Sequence, residues 1–184
     1  MLAAIPRETA LTELAIEHAE VRALIDTLTD EEMTRPNTIE YGLYPDQELS
    51  FKDLLAHLTT YEVLTIEAID SWLIREKHPA IDEMQTEAGR YHVHHDGIES
   101  RRAMSLAEML DAWKFTQASL GEQLEIFNDQ DWTTQAPFAT PAPLDLGGVI
   151  EIILVTPPRP PYRHLPVHIP DTTAYIRKLR VKRF

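Results

Sequence analysis

This sequence predicts an all-α domain, on three observations. Three long segments repeat apolar residues at intervals of three and four, the period of an amphipathic helix. Two of them open on a serine placed to cap a helix. Connections rich in proline, glycine and polar residues separate them. At 184 residues the chain fits one domain, 1–184, long enough to bury a substantial core.

Leu11, Leu14, His18, Val21, Leu24, Ile25 and Leu28 define the first helix, over about residues 8–28. TDEEMTRPNTIEYGLYPDQELS follows, with two prolines and a glycine, and reads as a long connection of the kind that borders sites. Ser50 caps a second helix, which has Asp53 in its first turn and runs to about Leu73. Phe51, Leu54, Leu55, Leu58, Tyr61, Ile69 and Trp72 share one stripe of this helix. His57 lies on the shoulder of the stripe, beside Tyr61, Leu64 and Ala68. Glu62 projects into the stripe, where a carboxylate needs a partner. It reads either as a structural hydrogen-bonding group or as a general base.

The segment from REKHPAIDEM to HHDGIESRRAM lacks a sustained period and reads as a second long connection; His92, His94 and His95 could gather a metal, but their alternation suits no single helical face and they read as a surface loop. Ser105 and Glu108 form a capping-box pattern that opens the third helix. Its buried side is Leu106, Met109, Leu110, Trp113, Gln117, Leu120, Leu124 and Phe127. Trp72, Trp113 and Trp132 read as packing residues. A third connection, NDQDWTTQAPFATPAPLDLGG, carries three prolines and a glycine pair. VIEIILV at 149–155 suits helix or strand equally by period, and TPPRPPY ends it. A short final helix follows from about Asp171 to Lys182, behind Pro170 and with cations at its end.

Composition narrows the function. Without cysteine there are no disulfides, thiolate ligands or cysteine nucleophiles. A net charge of −13 repels phosphate backbones, so nucleic acid is not an expected partner. RKLRVKRF gathers five cations in eight residues and reads as a solvated helix end or a contact for an acidic partner. No apolar run approaches the roughly 20 residues that cross a bilayer, and the first residues lack the pattern of a signal peptide. A cytoplasmic protein without membrane contact is the expectation. Phosphate-binding glycine loops and the G-x-S-x-G elbow are both absent.

The chemistry concentrates in YRHLPVHIPD. His164 and His168 stand four apart, a spacing that brings two imidazoles to one point if the backbone is helical. Zinc and similar divalent ions take neutral imidazole nitrogens at about 2 Å, and His57 is the best placed third ligand. Three protein ligands leave a coordination position open for water or substrate, as in catalytic sites. Pro166 stands against this reading. Inside a helix it removes a backbone bond, clashes with the Tyr162 carbonyl and costs about 3 kcal/mol. A helix starting near Leu165 tolerates it, but His164 is then expected to leave the helical register and open the clip. Metal coordination can contribute around 10 kcal/mol, so geometry rather than energy decides.

SFKDLLAHLTTYE, then SLAEMLDAW, then YRHLPVHIPDTTAYIRKL, taken in order from Ser50 to Leu179, resemble the DinB-like superfamily, which includes DfsB-type and maleylpyruvate isomerase-type branches. The resemblance implies a four-helix bundle, here with long connections and a proline-interrupted last helix. It also implies a divalent metal, zinc or nickel, held by His57, His164 and His168. Known members act as metal-dependent thiol transferases, thiol-dependent isomerases or hydrolases. The expectation is therefore a metal-dependent enzyme for a small molecule, with a thiol cosubstrate supplying any sulfur chemistry and a homodimer as the expected assembly. The competing reading is a non-catalytic bundle that binds a small ligand or a protein partner, its metal site degraded by the prolines.

Overall fold

The computed structural model describes residues 5–39, 48–155 and 161–181. In chain order these residues form α1 (Arg7–Thr27), α2 (Asp30–Thr34), α3 (Phe51–Leu73), α4 (Ala80–Glu83), α5 (Glu87–Glu99), α6 (Leu106–Glu125), α7 (Asp129–Trp132), α8 (Leu146–Leu154), α9 (Leu165–His168) and α10 (Thr172–Val181). Among the described residues there is no strand, only an isolated bridge between Gln135 and Asp145. No described helix is long and apolar enough to cross a membrane. Residues 40–47 of the first long connection and Lys182–Phe184 of the basic tail lie outside the described residues.

The three long helices fall where their periods and caps place them. Ser50 and Asp53 exchange bonds at the start of α3, the Ser50 N–H donating to the carboxylate at 2.8 Å. Ser105 and Glu108 do the same for α6, at 2.7 Å. Each such cap satisfies backbone donors that have no partner within the helix. α3 is the central element: it packs against α5, α6 and α8, and its whole stripe from Phe51 to Trp72 is buried.

One expectation is corrected and one open assignment is decided. The segment after α3 is not a loop: residues 80–83 and 87–99 are helical. Thr86 caps α5 by accepting the Gly89 N–H at 3.0 Å, and Gly89, Val93, His94, Gly97 and Ile98 form its buried face. Its two glycines resemble helix breakers in the sequence, yet both permit close contact. A methyl group at Gly97 would run into the Thr60 side chain on α3, and one at Gly89 into the backbone of Glu83. The undecided 149–155 run is resolved as helix. Asp145 caps α8 through the Gly148 N–H at 2.8 Å, four residues before the β-branched run begins.

The core is two apolar clusters. One contains Val21, Leu24, Phe51, Leu55, Trp113, Leu165 and Leu179. The other contains Leu14, Tyr61, Ile69, Leu120, Trp132, Ile150 and Ile153. Between them, at the middle of α1, α3 and α5, lies a band of buried polar side chains: Glu17, His18, His57, Thr60, Glu62 and His94, joined by His164. Such groups stay inside only when hydrogen-bonded, because each would otherwise lose several kcal/mol of hydration.

The two kinds of glycine make a direct test of this packing. Gly97→Ala is expected to destabilise the protein by about 1–3 kcal/mol through overpacking against Thr60. Gly121→Ala, where nothing lies within 4 Å, is expected to stabilise by roughly 0.5–1 kcal/mol through helix propensity. Urea unfolding of both variants checks the pair.

Candidate metal centre

His57, His164 and His168 converge. One ring nitrogen from each lies within 4.8 Å of the other two, and Nε2 of His57 is 3.1 Å from Nε2 of His164. Two nitrogens held at about 2.1 Å from a shared ion can be no more than about 4.2 Å apart. The His57–His164 pair already satisfies that limit. His57 and His164 are buried, and His168 is half-buried.

The clip stays closed although α9 does begin at Leu165, which corrects the expectation that such a start would turn His164 away. His164 is the N-cap, but its backbone is helical at φ −101° and ψ −34°, so its side chain continues the direction of the turn. The His164 and His168 rings stack at 5.2 Å with planes 17° apart, and His57 meets both edge-on. Pro166 sits in the first turn, where its missing N–H would have had no intrahelical partner. The Val167 N–H closes the turn onto the His164 carbonyl at 3.0 Å.

Glu17 of α1 supplies what this start needs. Its Oε1 accepts the backbone N–H groups of His164, at 3.0 Å, and Leu165, at 2.6 Å. Arg163 extends the same attachment, donating to Glu20 at 2.6 Å and approaching Glu13 at 3.9 Å. Glu13, Glu17 and Glu20 are spaced four and three apart on α1, so one carboxylate face holds the whole turn. Ahead of it, Tyr162 adopts φ 56°, a left-handed conformation that costs a non-glycine residue about 1 kcal/mol or more. Its hydroxyl is fixed to the Gly147 carbonyl at 2.7 Å.

Outer contacts orient the rings. Nδ1–H of His164 donates to the Leu154 carbonyl at 2.8 Å, which leaves Nε2 bare and facing His57. Nδ1 of His57 lies 2.8 Å from Nδ1 of His94 on α5. His94 is one of three histidines expected on a surface loop; instead it is 1% exposed on a helix, whereas His92 is exposed and His95 stacks on Tyr91 at 6.0 Å. Burial pushes the His94 pKa down to about 3, aided by positive charge on His164 and His95. It is therefore neutral near pH 7. Glu62 has the structural role weighed for it: its Oε1 lies 2.7 Å from Nε2 of His18.

Burial also raises the Glu17 pKa to about 7. The Leu165 and His164 N–H groups and Arg163 oppose the rise, and Glu62 adds to it. Desolvation therefore outweighs two charge-assisted bonds of about 1.5–3 kcal/mol each.

The donor set suits a divalent ion: three imidazoles, two of them buried and with the second ring nitrogen directed at an outer group. The half-buried His168 is also part of the wall of a cavity of about 210 Å³, lined further by Thr38, Asp171, Tyr175 and Lys178. A larger hollow of about 420 Å³ beside Trp72, Arg75 and Gln135 is lined by none of the histidines, and the one that His164 lines, of about 20 Å³, is the size of a water molecule, so we place the candidate ligand space at His168. Of the residues missed in the sequence, Glu17 had a signal in the carboxylate face of α1. His94 had none stronger than its i, i+4 relation to Ile98.

No family model and no curated protein matches the chain. Among solved structures it is similar to the crystal structure of an uncharacterised protein from Escherichia coli UTI89. The TM-score is 0.64 at 11% identity, over 95% of this chain and 89% of that one. The likeness is one of fold.

The raised Glu17 pKa has a sign that can be checked. The folded state binds this proton more tightly than the unfolded chain does, so its stabilisation is complete below pH 4.5 and is lost as pH rises to about 7. Glu17→Gln keeps an acceptor for both N–H groups without the buried charge. In chelator-treated protein, the variant's melting temperature is expected to exceed that of the natural chain at pH 8 and to match it near pH 4.5. At pH 8 the difference is about 3 kcal/mol at most.

Proposed function

We propose that this chain is a DinB-like four-helix-bundle protein and a metal-dependent enzyme acting on a small molecule, by hydrolysis or by transfer or isomerisation with a thiol cosubstrate. The observation that carries the reading is the convergence of His57, His164 and His168 in the polar band, with His168 shared by an adjoining cavity. The three histidines would hold a divalent ion, zinc or nickel. A bound ion of this kind lowers the pKa of a water or thiol and stabilises negative charge as it develops.

The chain's own residues do the rest. His164 is held to one tautomer by its bond to the Leu154 carbonyl, so that ring need not reorganise to present a lone pair. The flanking clusters, with Leu58 and Leu165 in one and Tyr61 and Leu154 in the other, surround His57 and His164 with apolar side chains. A substrate would enter there, past Tyr175 and Lys178. The absence of cysteine fits a thiol supplied by a cosubstrate.

Protein purified without a histidine tag and analysed for metal tests the reading. Near-stoichiometric zinc or nickel is expected, falling at least tenfold in His57→Ala. Metal-free natural protein whose melting is unchanged by zinc, nickel or chelator would overturn it and favour a non-catalytic ligand-binding bundle.

A further inference from the structure

Resting on the metal-binding reading, we propose that His94 is a positioning residue for the centre: its Nδ1 accepts the Nδ1–H of His57 and so fixes that ring with Nε2 toward the ion. Four observations carry this. Nδ1 of His94 lies 2.8 Å from Nδ1 of His57, and the ring centroids are 4.5 Å apart at 73°. Nε2 of His57 faces His164 at 3.1 Å, so this is the nitrogen directed at the shared point. His94 is as buried as the ligands themselves. It arrives on α5, whose contact with α3 is made possible by Gly97 against Thr60.

A neutral imidazole can bind metal through one nitrogen only if the other carries the hydrogen. For His164 that hydrogen is directed at the Leu154 carbonyl; for His57 the available acceptor is another imidazole. The choice has a chemical consequence. A carboxylate in this position would feed negative charge through the ring to the ion, whereas a neutral imidazole orients the ligand and leaves the ion more electrophilic. The two outer partners come from separate elements, α8 and α5, each of which packs on α3.

Two measurements on the full chain, with zinc(II) alone as the probe, test the assignment. In zinc-loaded natural protein, long-range ¹H–¹⁵N spectra of the imidazoles are expected to show His57 protonated at Nδ1 and His94 bare at Nδ1. In chelator competition, His94→Leu is expected to weaken zinc binding 10- to 100-fold, and His94→Asn, whose carbonyl replaces Nδ1 as acceptor, to recover most of that loss. A purely space-filling role would move neither the His57 tautomer nor the Leu-against-Asn difference. Natural protein that binds zinc with His57 bare at Nδ1, or with equal affinity in both folded variants, overturns the His94 proposal and leaves the metal centre standing. Natural protein that binds no zinc overturns both.

Discussion

One carboxylate organises the site. Oε1 of Glu17 takes up the two N–H groups with which α9 starts, and in doing so it lets a proline-containing segment begin a helix with a histidine as its cap. Remove that acceptor and the two donors are buried without partners, at about 1–3 kcal/mol each. The turn then has little reason to hold His164 in a helical conformation while Tyr162 remains in a left-handed one. The attachment also crosses most of the chain, from α1 to the residues before α9, so the ligand pair is tied to the first helix rather than to its sequence neighbours.

A second constraint follows from burial. The polar band between the two apolar clusters occupies positions where leucine or alanine would pack at lower cost. Glu17 has its proton affinity raised by this placement, and His94 is kept neutral by it. Short contacts connect the band: His18 to Glu62, His57 to His94 and His164 to Leu154, with the Nε2 atoms of His57 and His164 facing each other at 3.1 Å. The linkage is incomplete at the two carboxylates, where Oε2 of Glu17 and Oε2 of Glu62 are buried without a hydrogen-bond partner.

Much of this was legible in the sequence. The stripe of α3, its Ser50 cap, the Ser105 capping box and the inward position of His57 follow from helical period and local bonding, which act over three or four residues. The histidine trio was legible as well, because the i, i+4 spacing of His164 and His168 survives even a helix that starts between them. What escaped was tertiary. α5 carries glycines that look like breaks until Thr60 is placed against one of them. Whether 149–155 was helix or strand depended on Asp145, a cap that lies outside the run. The fate of Pro166 depended on Glu17, about 150 residues away in sequence. No local rule reaches so far.

The central claim is that three imidazoles share one ion. X-ray absorption on the zinc-loaded natural chain measures this most directly, since multiple scattering from imidazole rings counts the histidine ligands. The account predicts three histidine nitrogens at about 2.0–2.1 Å, with at least one further light atom from solvent. A fit with fewer than three imidazoles, or a spectrum left unchanged by His164→Ala, would contradict it.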